Sequence, residues 1–273
     1  MSNKIPNDAY AMIIGAMKCG TTSLYDYISH HPQICPAITK EPEYFSENQS
    51  HGVEVEKYND LFRFDNTIHK YTLDGSTGYT KYPLEPKVAK NIHDYGISPK
   101  FIYIIRNPFE RIESHFNFMR KDEKWALDLT AEHILSTSDY FQQLEQFRHF
   151  FPVQNMLLLD FDDLKNNPHN VLKCVYDFLN LTHSYFPDSY EVKNQTEYVS
   201  SFERRIQKLK IDRFLKFLPK ATKESLKSAI RKGSPAGKRV LTEAERDMVF
   251  NHLNDGMRGL NAVYGFDSSK WGF

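Results

Sequence analysis

Short apolar runs alternate with stretches of helical spacing along this chain. Tyr10-Ala-Met-Ile-Ile-Gly15 is apolar throughout and closes on glycine, the pattern of a strand covered on both faces. After a polar turn at 16–20, Leu24, Tyr27, Ile28 and His31 recur at helical spacing. Thr21, Thr22 and Ser23 stand ready as caps, and Pro32 ends the segment. Residues 70–74 predict another strand, and 83–95 a helix closed by Gly96. The clearest strand is Lys100-Phe-Ile-Tyr-Ile-Ile-Arg106, a solid apolar stretch between two cations. It runs through Asn107 into Pro108, a residue suited to the first turn of a helix reaching about Met119. Helices are predicted over 140–150 and 168–180, with a strand over 155–160 between them. A last helix starts at the cap Thr242, with Glu245 completing a capping box.

Strands alternating with helices predict an α/β fold, a parallel sheet flanked by helices on both faces. At 273 residues the chain has room for one large α/β domain, and we read 1–273 as a single domain. The 35 basic and 35 acidic side chains cancel, so no global charge points to nucleic acid or membrane, and any charge argument is local. Cys19, Cys35 and Cys174 are few, odd in number and without metal-ligand spacing. They read as reduced thiols in a cytoplasmic protein. The apolar run at 10–15 is too short for a signal-peptide core or a membrane anchor.

The turn Gly15-Ala-Met-Lys-Cys-Gly-Thr-Thr-Ser23 joins a strand to a helix N-terminus, where backbone N–H groups and the helix dipole attract an anion. Lys18 adds a full charge, and Thr21, Thr22 and Ser23 add hydroxyls. The bland alternative is a glycine turn with an ordinary cap. A Walker A loop would set its lysine directly after the last glycine, followed by a metal-binding hydroxyl. Here Thr21 follows Gly20, and the strand that would offer a metal-binding aspartate ends in Arg106. The pattern suits a phosphate held without a metal. In Arg106-Asn-Pro-Phe-Glu-Arg-Ile-Glu-Ser114, Arg106 closes a strand and Ser114 lies on the next helix, in reach of one anion. Taken alone, that segment reads as an ion pair beside a small helix residue.

Together the two segments resemble the sulfotransferases that use 3′-phosphoadenosine 5′-phosphosulfate (PAPS), in the branch holding the heparan sulfate enzymes and many bacterial members. The resemblance runs from about Tyr10 to the final helix and implies a three-layer P-loop-like fold with a helical C-terminal region. It implies that Lys18, Cys19, Gly20, Thr21, Thr22 and Ser23 grip the 5′-phosphosulfate, and that Arg106 and Ser114 bind the 3′-phosphate. Arg231-Lys232-Gly233 matches a late loop that folds over the nucleotide. The implied reaction moves a sulfuryl group to a hydroxyl, on an oligosaccharide, polysaccharide or glycolipid, releasing 3′,5′-ADP. Lys18 would offset charge on the departing oxygen. Glu41, in Thr39-Lys-Glu-Pro-Glu-Tyr-Phe45, is the expected general base, with Glu43 as competitor. His51 and His115 are the histidines to inspect.

Two features depart from or extend that pattern. Heparan sulfate relatives carry a second lysine where this chain has Gly75, so Lys18 acts alone or Lys40 or Lys81 substitutes. Residues 204–239 hold thirteen Lys/Arg against Asp212 and Glu224. Within 202–220 the segment reads as a packed amphipathic helix, a lid, a glycan rail or a membrane-surface helix. The rival readings are a divergent P-loop kinase and a non-catalytic anion-binding module. His30-His31 lack a second ligand pair for a metal, and Trp125 and Trp271 read as packing residues or groove walls.

Overall fold

The computed structural model describes residues 4–47, 55–119, 128–183, 185–190 and 239–273. In chain order the elements are β1 (Tyr10–Gly15), α1 (Thr21–Ser29), β2 (Ile34–Pro36), β3 (Tyr71–Asp74) and α2 (Val88–Asp94). Then come β4 (Lys100–Ile105), α3 (Pro108–Met119), α4 (Glu132–Ser136), α5 (Tyr140–Arg148), β5 (Met156–Asp160), α6 (Phe161–Asn166), α7 (Pro168–Phe178) and α8 (Glu243–Tyr264). The strands form one five-stranded sheet in the order β2-β3-β1-β4-β5, every pairing parallel. Ala11 stands opposite Leu73, Met12 opposite Phe101, and Ile102 opposite Leu157. Every residue of β1 and all but the first of β4 are buried, which explains why these strands are apolar without alternation.

This is the α/β architecture expected, a central parallel sheet flanked by helices. Two local expectations need correction. The helix predicted from residue 83 starts at Val88, because Pro83 and Pro86 have no N–H to donate and their rings obstruct a continuous turn. Thr21, Thr22 and Ser23 are not caps but the first helical turn of α1. Its N-cap is Gly20 in the left-handed region, with φ 85° and no side-chain cap. The capping box of α8 forms as expected: Thr242 Oγ1 accepts from Glu245 N–H at 3.3 Å, and Glu245 Oε2 accepts from Thr242 N–H at 2.7 Å.

The strand order places the ligand crevice. β1 sends its connection to one side of the sheet and β4 to the other, so their carboxyl ends open at a switch point. The turns after β1, β2, β3 and β4 all lie at that end of the sheet.

Candidate functional site

The chemistry of the turn after β1 suits an anion. α1 begins after its N-cap Gly20, which has no side chain to cap it, and has no acidic residue in its first turn, so its N-terminus keeps its positive end. The turn is braced from below. Ala16 N–H donates to Ile104 O at 2.8 Å, and Cys19 N–H to Ala16 O at 3.1 Å. The Cys19 side chain faces the core, fully buried, 3.9 Å from the Tyr140 hydroxyl, which itself donates to Arg106 O at 2.8 Å. Burial pushes the Cys19 thiol up to about 11, so it packs rather than reacts. Lys18 lies at the tip of the turn in the left-handed region, φ 72°, with its ammonium 4.4 Å from the Phe118 ring centroid on α3. Ser114 is one helical turn before Phe118, so it shares that stripe of α3.

Arg106 follows β4 at the edge of the crevice. Its Nε and Nη2 donate to Glu110 Oε2 at 3.0 and 2.6 Å, and its guanidinium lies 4.9 Å from the Phe161 ring centroid. The same ring packs against Gly20: a Cβ there would stand 2.7 Å from Phe161 Cδ2.

Arg111, the second arginine of that segment, has a part that sequence reasoning missed. It is buried, and its guanidinium reaches Met17 O at 3.2 Å, Ile134 O at 3.1 Å, Thr137 Oγ1 at 3.0 Å and Ser138 Oγ at 2.8 Å. It ties the anion turn to the stretch joining α4 and α5. The signal was available: Arg111 falls beside Ile112 and four residues before His115, on the inner face of α3. His115 is buried, and burial with the nearby Arg111 charge holds its imidazole well below its ordinary value. It stays neutral and structural. His31 is likewise structural, with Nε2 bonded to Thr182 O at 2.9 Å and Nδ1 accepting from Gln33 N–H at 3.1 Å. Trp271 is buried against Phe266.

The two glutamates after β2 have different environments. Glu43 is buried: Gly78 N–H donates to its Oε1 at 3.1 Å, and its own N–H donates to Ser76 Oγ at 2.9 Å. Ser76 in turn donates to Asp74 Oδ1 at 2.6 Å, while Tyr79 and Tyr58 hydroxyls donate to Asp74 Oδ2 at 2.8 and 3.0 Å. Asp74 is buried, and desolvation raises its carboxyl to about 6 against the pull of those hydroxyls. Phe45 is also buried, 4.6 Å from the Tyr58 ring centroid. These contacts pin the turn from both sides, and Glu41 projects from it, partly exposed, with φ 54°. Its Oε1 accepts from Lys40 Nζ at 2.7 Å, and Lys40 Nζ also donates to Thr22 Oγ1 at 3.0 Å. The Glu41 turn and the first turn of α1 are thus joined through one ammonium.

Sequence-predicted residues Lys18, Cys19, Gly20, Thr21, Thr22, Ser23 and Glu41 lie in the turns and first helical turn at the carboxyl end of the sheet, while Arg106 follows the neighbouring β4 and Ser114 lies on α3. Arg231, Lys232, Gly233, His51, Trp125 and the basic segment 202–220 lie outside the described residues. Among the described residues, no group of three or more His, Cys, Asp or Glu side chains is placed to hold a metal ion. No described helix is long and apolar enough to cross a membrane.

A helix start after β1, an arginine after the adjacent β4 and a parallel sheet behind them make an α/β domain of the parallel-sheet class, with cationic groups at the carboxyl ends of its strands. The comparisons narrow that class. Residues 8–247 match the family model described as the sulfotransferase domain, and the chain belongs to that family of enzymes. It is 28% identical over 188 residues to human heparan sulfate glucosamine 3-O-sulfotransferase 5, covering 63% of this chain and 53% of that protein. It is 27% identical over 192 residues to the bifunctional heparan sulfate N-deacetylase/N-sulfotransferase 1 of Caenorhabditis elegans, covering 62% of this chain and 22% of that one. The chain therefore spans about half the length, or less, of these relatives. Its fold matches a crystal structure of a sulfotransferase from Alicyclobacillus acidocaldarius, with a TM-score of 0.68 at 18% identity over 97% of this chain and 98% of that one.

Proposed function

We propose that this domain transfers a sulfuryl group from PAPS to a hydroxyl of a carbohydrate acceptor. The observation that carries the reading is the join between the anion turn and the carboxylate: Lys40 Nζ bonds both Thr22 Oγ1 and Glu41 Oε1. A base held against the donor-binding turn is what transfer to an alcohol requires. The residues fit the donor. The open N-terminus of α1, with Lys18 and the hydroxyls of Thr21, Thr22 and Ser23, suits the 5′-phosphosulfate. Arg106 and Ser114 suit the 3′-phosphate, and Arg231, Lys232 and Gly233 complete the donor set in this reading.

PAPS supplies an activated sulfuryl group whose bond to the phosphate oxygen breaks as the bond to the acceptor oxygen forms. Glu41 takes the hydroxyl proton, and Lys18 offsets the charge left on the phosphate of 3′,5′-ADP. No metal is called for where cations and helix N–H groups do this work. Glu43, buried and bonded to Gly78 N–H, supports the turn instead of serving as the base. The carbohydrate acceptor rests on the two heparan sulfate relatives, and glycolipid acceptors belong to the same proposal. The reducing cytoplasm rests on three free cysteines, of which only Cys174 is exposed.

Calorimetric titration in EDTA tests the donor, with 3′,5′-ADP expected to bind well and ATP weakly; equal weak binding of both refutes the assignment. Labelled PAPS with heparan-type glycans tests the acceptor. Glu41→Gln is expected to lower transfer about 100-fold or more while leaving 3′,5′-ADP affinity unchanged. Wild-type transfer by that variant would remove Glu41 as the base.

A further inference from the structure

We infer that Lys40 is a catalytic residue, the cation that faces the transferring sulfuryl group between donor and base. The inference rests on the PAPS reading above and adds a residue to it. A carboxylate base beside a multiply charged donor meets an electrostatic obstacle, since like charges at short range repel the approach that in-line transfer needs. A cation between them removes it, and Lys40 occupies that place. Its ammonium is 3.0 Å from Thr22 Oγ1, in the first turn of α1, and 2.7 Å from Glu41 Oε1.

An ammonium carries three donors and no acceptor, so these two bonds leave it donor capacity for an anionic oxygen. With 35% of its side chain exposed, it is not sealed in the core. Its backbone is not free to drift. The turn that follows is pinned by the Glu43 bonds to Ser76 and Gly78 and by the buried Phe45.

The other positions are less suited. A side chain at residue 75 has no room, because a Cβ there would stand 2.5 Å from Cδ2 of the half-buried Tyr25 ring. Lys81 follows the short 3-10 turn Thr77–Thr80, and its charge is felt at the buried His115 of α3. Of the three positions, Lys40 alone is bonded to both the anion turn and Glu41. The cation and the base therefore come from adjacent residues of one turn, and the packing of Tyr25 on Gly75 is the counterpart of that arrangement.

Three variants test this: Lys40→Met, which keeps the length of the side chain without charge, Lys40→Arg, which keeps the charge, and Lys40→Ala. The readouts are calorimetric affinity for 3′,5′-ADP, which lacks the sulfuryl group, and turnover of PAPS to 3′,5′-ADP with a heparan-type glycan or water alone as acceptor. Lys40→Met and Lys40→Ala are expected to lower turnover about 100-fold, the range for losing one group that stabilises developing charge. Affinity for 3′,5′-ADP stays within about twofold, a threshold well below the tenfold that 1.4 kcal/mol represents. Lys40→Arg should recover at least a tenth of wild-type turnover. Turnover by Lys40→Met within threefold of wild type overturns the inference alone. So does a parallel loss of 3′,5′-ADP binding, which would make Lys40 a brace of the turn. A wild-type chain that binds no 3′,5′-ADP overturns the donor reading and this inference with it.

Discussion

Replacing Glu110 by glutamine should tighten binding of 3′,5′-ADP, although the change takes a hydrogen-bonded ion pair away from Arg106. Arg106 spends two guanidinium donors on one Glu110 oxygen, at 3.0 and 2.6 Å. A 3′-phosphate that binds Arg106 must displace or share that carboxylate. The Glu110 side chain is 52% exposed and that of Arg106 22%, so the pair is screened and contributes no more than about 1 kcal/mol. Removing the competing charge therefore lowers the Kd by up to about fivefold. The gain shrinks as salt rises, because both the pair and its replacement are screened. Arg106→Ala runs the other way. It forfeits charge-assisted, bidentate bonds worth about 2–3 kcal/mol, a loss of about 30–150-fold. Titration calorimetry at low and at high salt measures both, with a melting curve to show that each variant is folded. A folded Glu110→Gln chain that binds 3′,5′-ADP no better, or more weakly, would refute the competition between carboxylate and phosphate.

Two further outcomes follow from packing and protonation. Gly20→Ala forces φ 85° on a residue with a Cβ and sets that atom 2.7 Å from Phe161. The backbone cost is about 1–2 kcal/mol before the ring shifts, which predicts a fall in Tm of about 2–4 °C or more for a chain of this size. An unchanged Tm with unchanged 3′,5′-ADP affinity would show that the contact is relieved at no cost. Asp74 has its carboxyl raised from 3.8 to about 6 in the fold, so its contribution is complete below pH 4 and is lost as pH climbs through 6. The swing is about 3 kcal/mol, and Asp74→Asn abolishes it. Urea unfolding across pH 4–7 should show the variant gaining on wild type by that amount, and a constant gap would disprove the assignment.

What could be read from the sequence and what could not divides along a physical line. The residues proposed to meet an anion sit in turns with local signals. Gly20 and the hydroxyls after it, the cation Lys18, and Arg106 at the end of a solid apolar strand are all visible within a few neighbours. Helix boundaries failed where a local rule was overridden. The prolines at 83 and 86 delay α2, and Gly20 takes the cap from three hydroxyl residues that each had the chemistry for it. The short β2 carries too few residues for a pattern, and its existence depends on pairing with β3. The positioning residues were harder still. Glu43 reads as a solvated glutamate until β2 and β3 lie side by side and bring Ser76 and Gly78 beneath it. Asp74 draws its three hydroxyls from Tyr58, Ser76 and Tyr79, and Lys40 finds Thr22 eighteen residues away. Such roles depend on strand order, since the order β2-β3-β1-β4-β5 sets the turns after β1, β2 and β3 against one another. The proposed binding groups could therefore be named one turn at a time. The groups that aim them exist as a set only once the sheet has formed, and a change in any one of Glu43, Ser76 or Asp74 should act on Glu41 through the turn they hold in common.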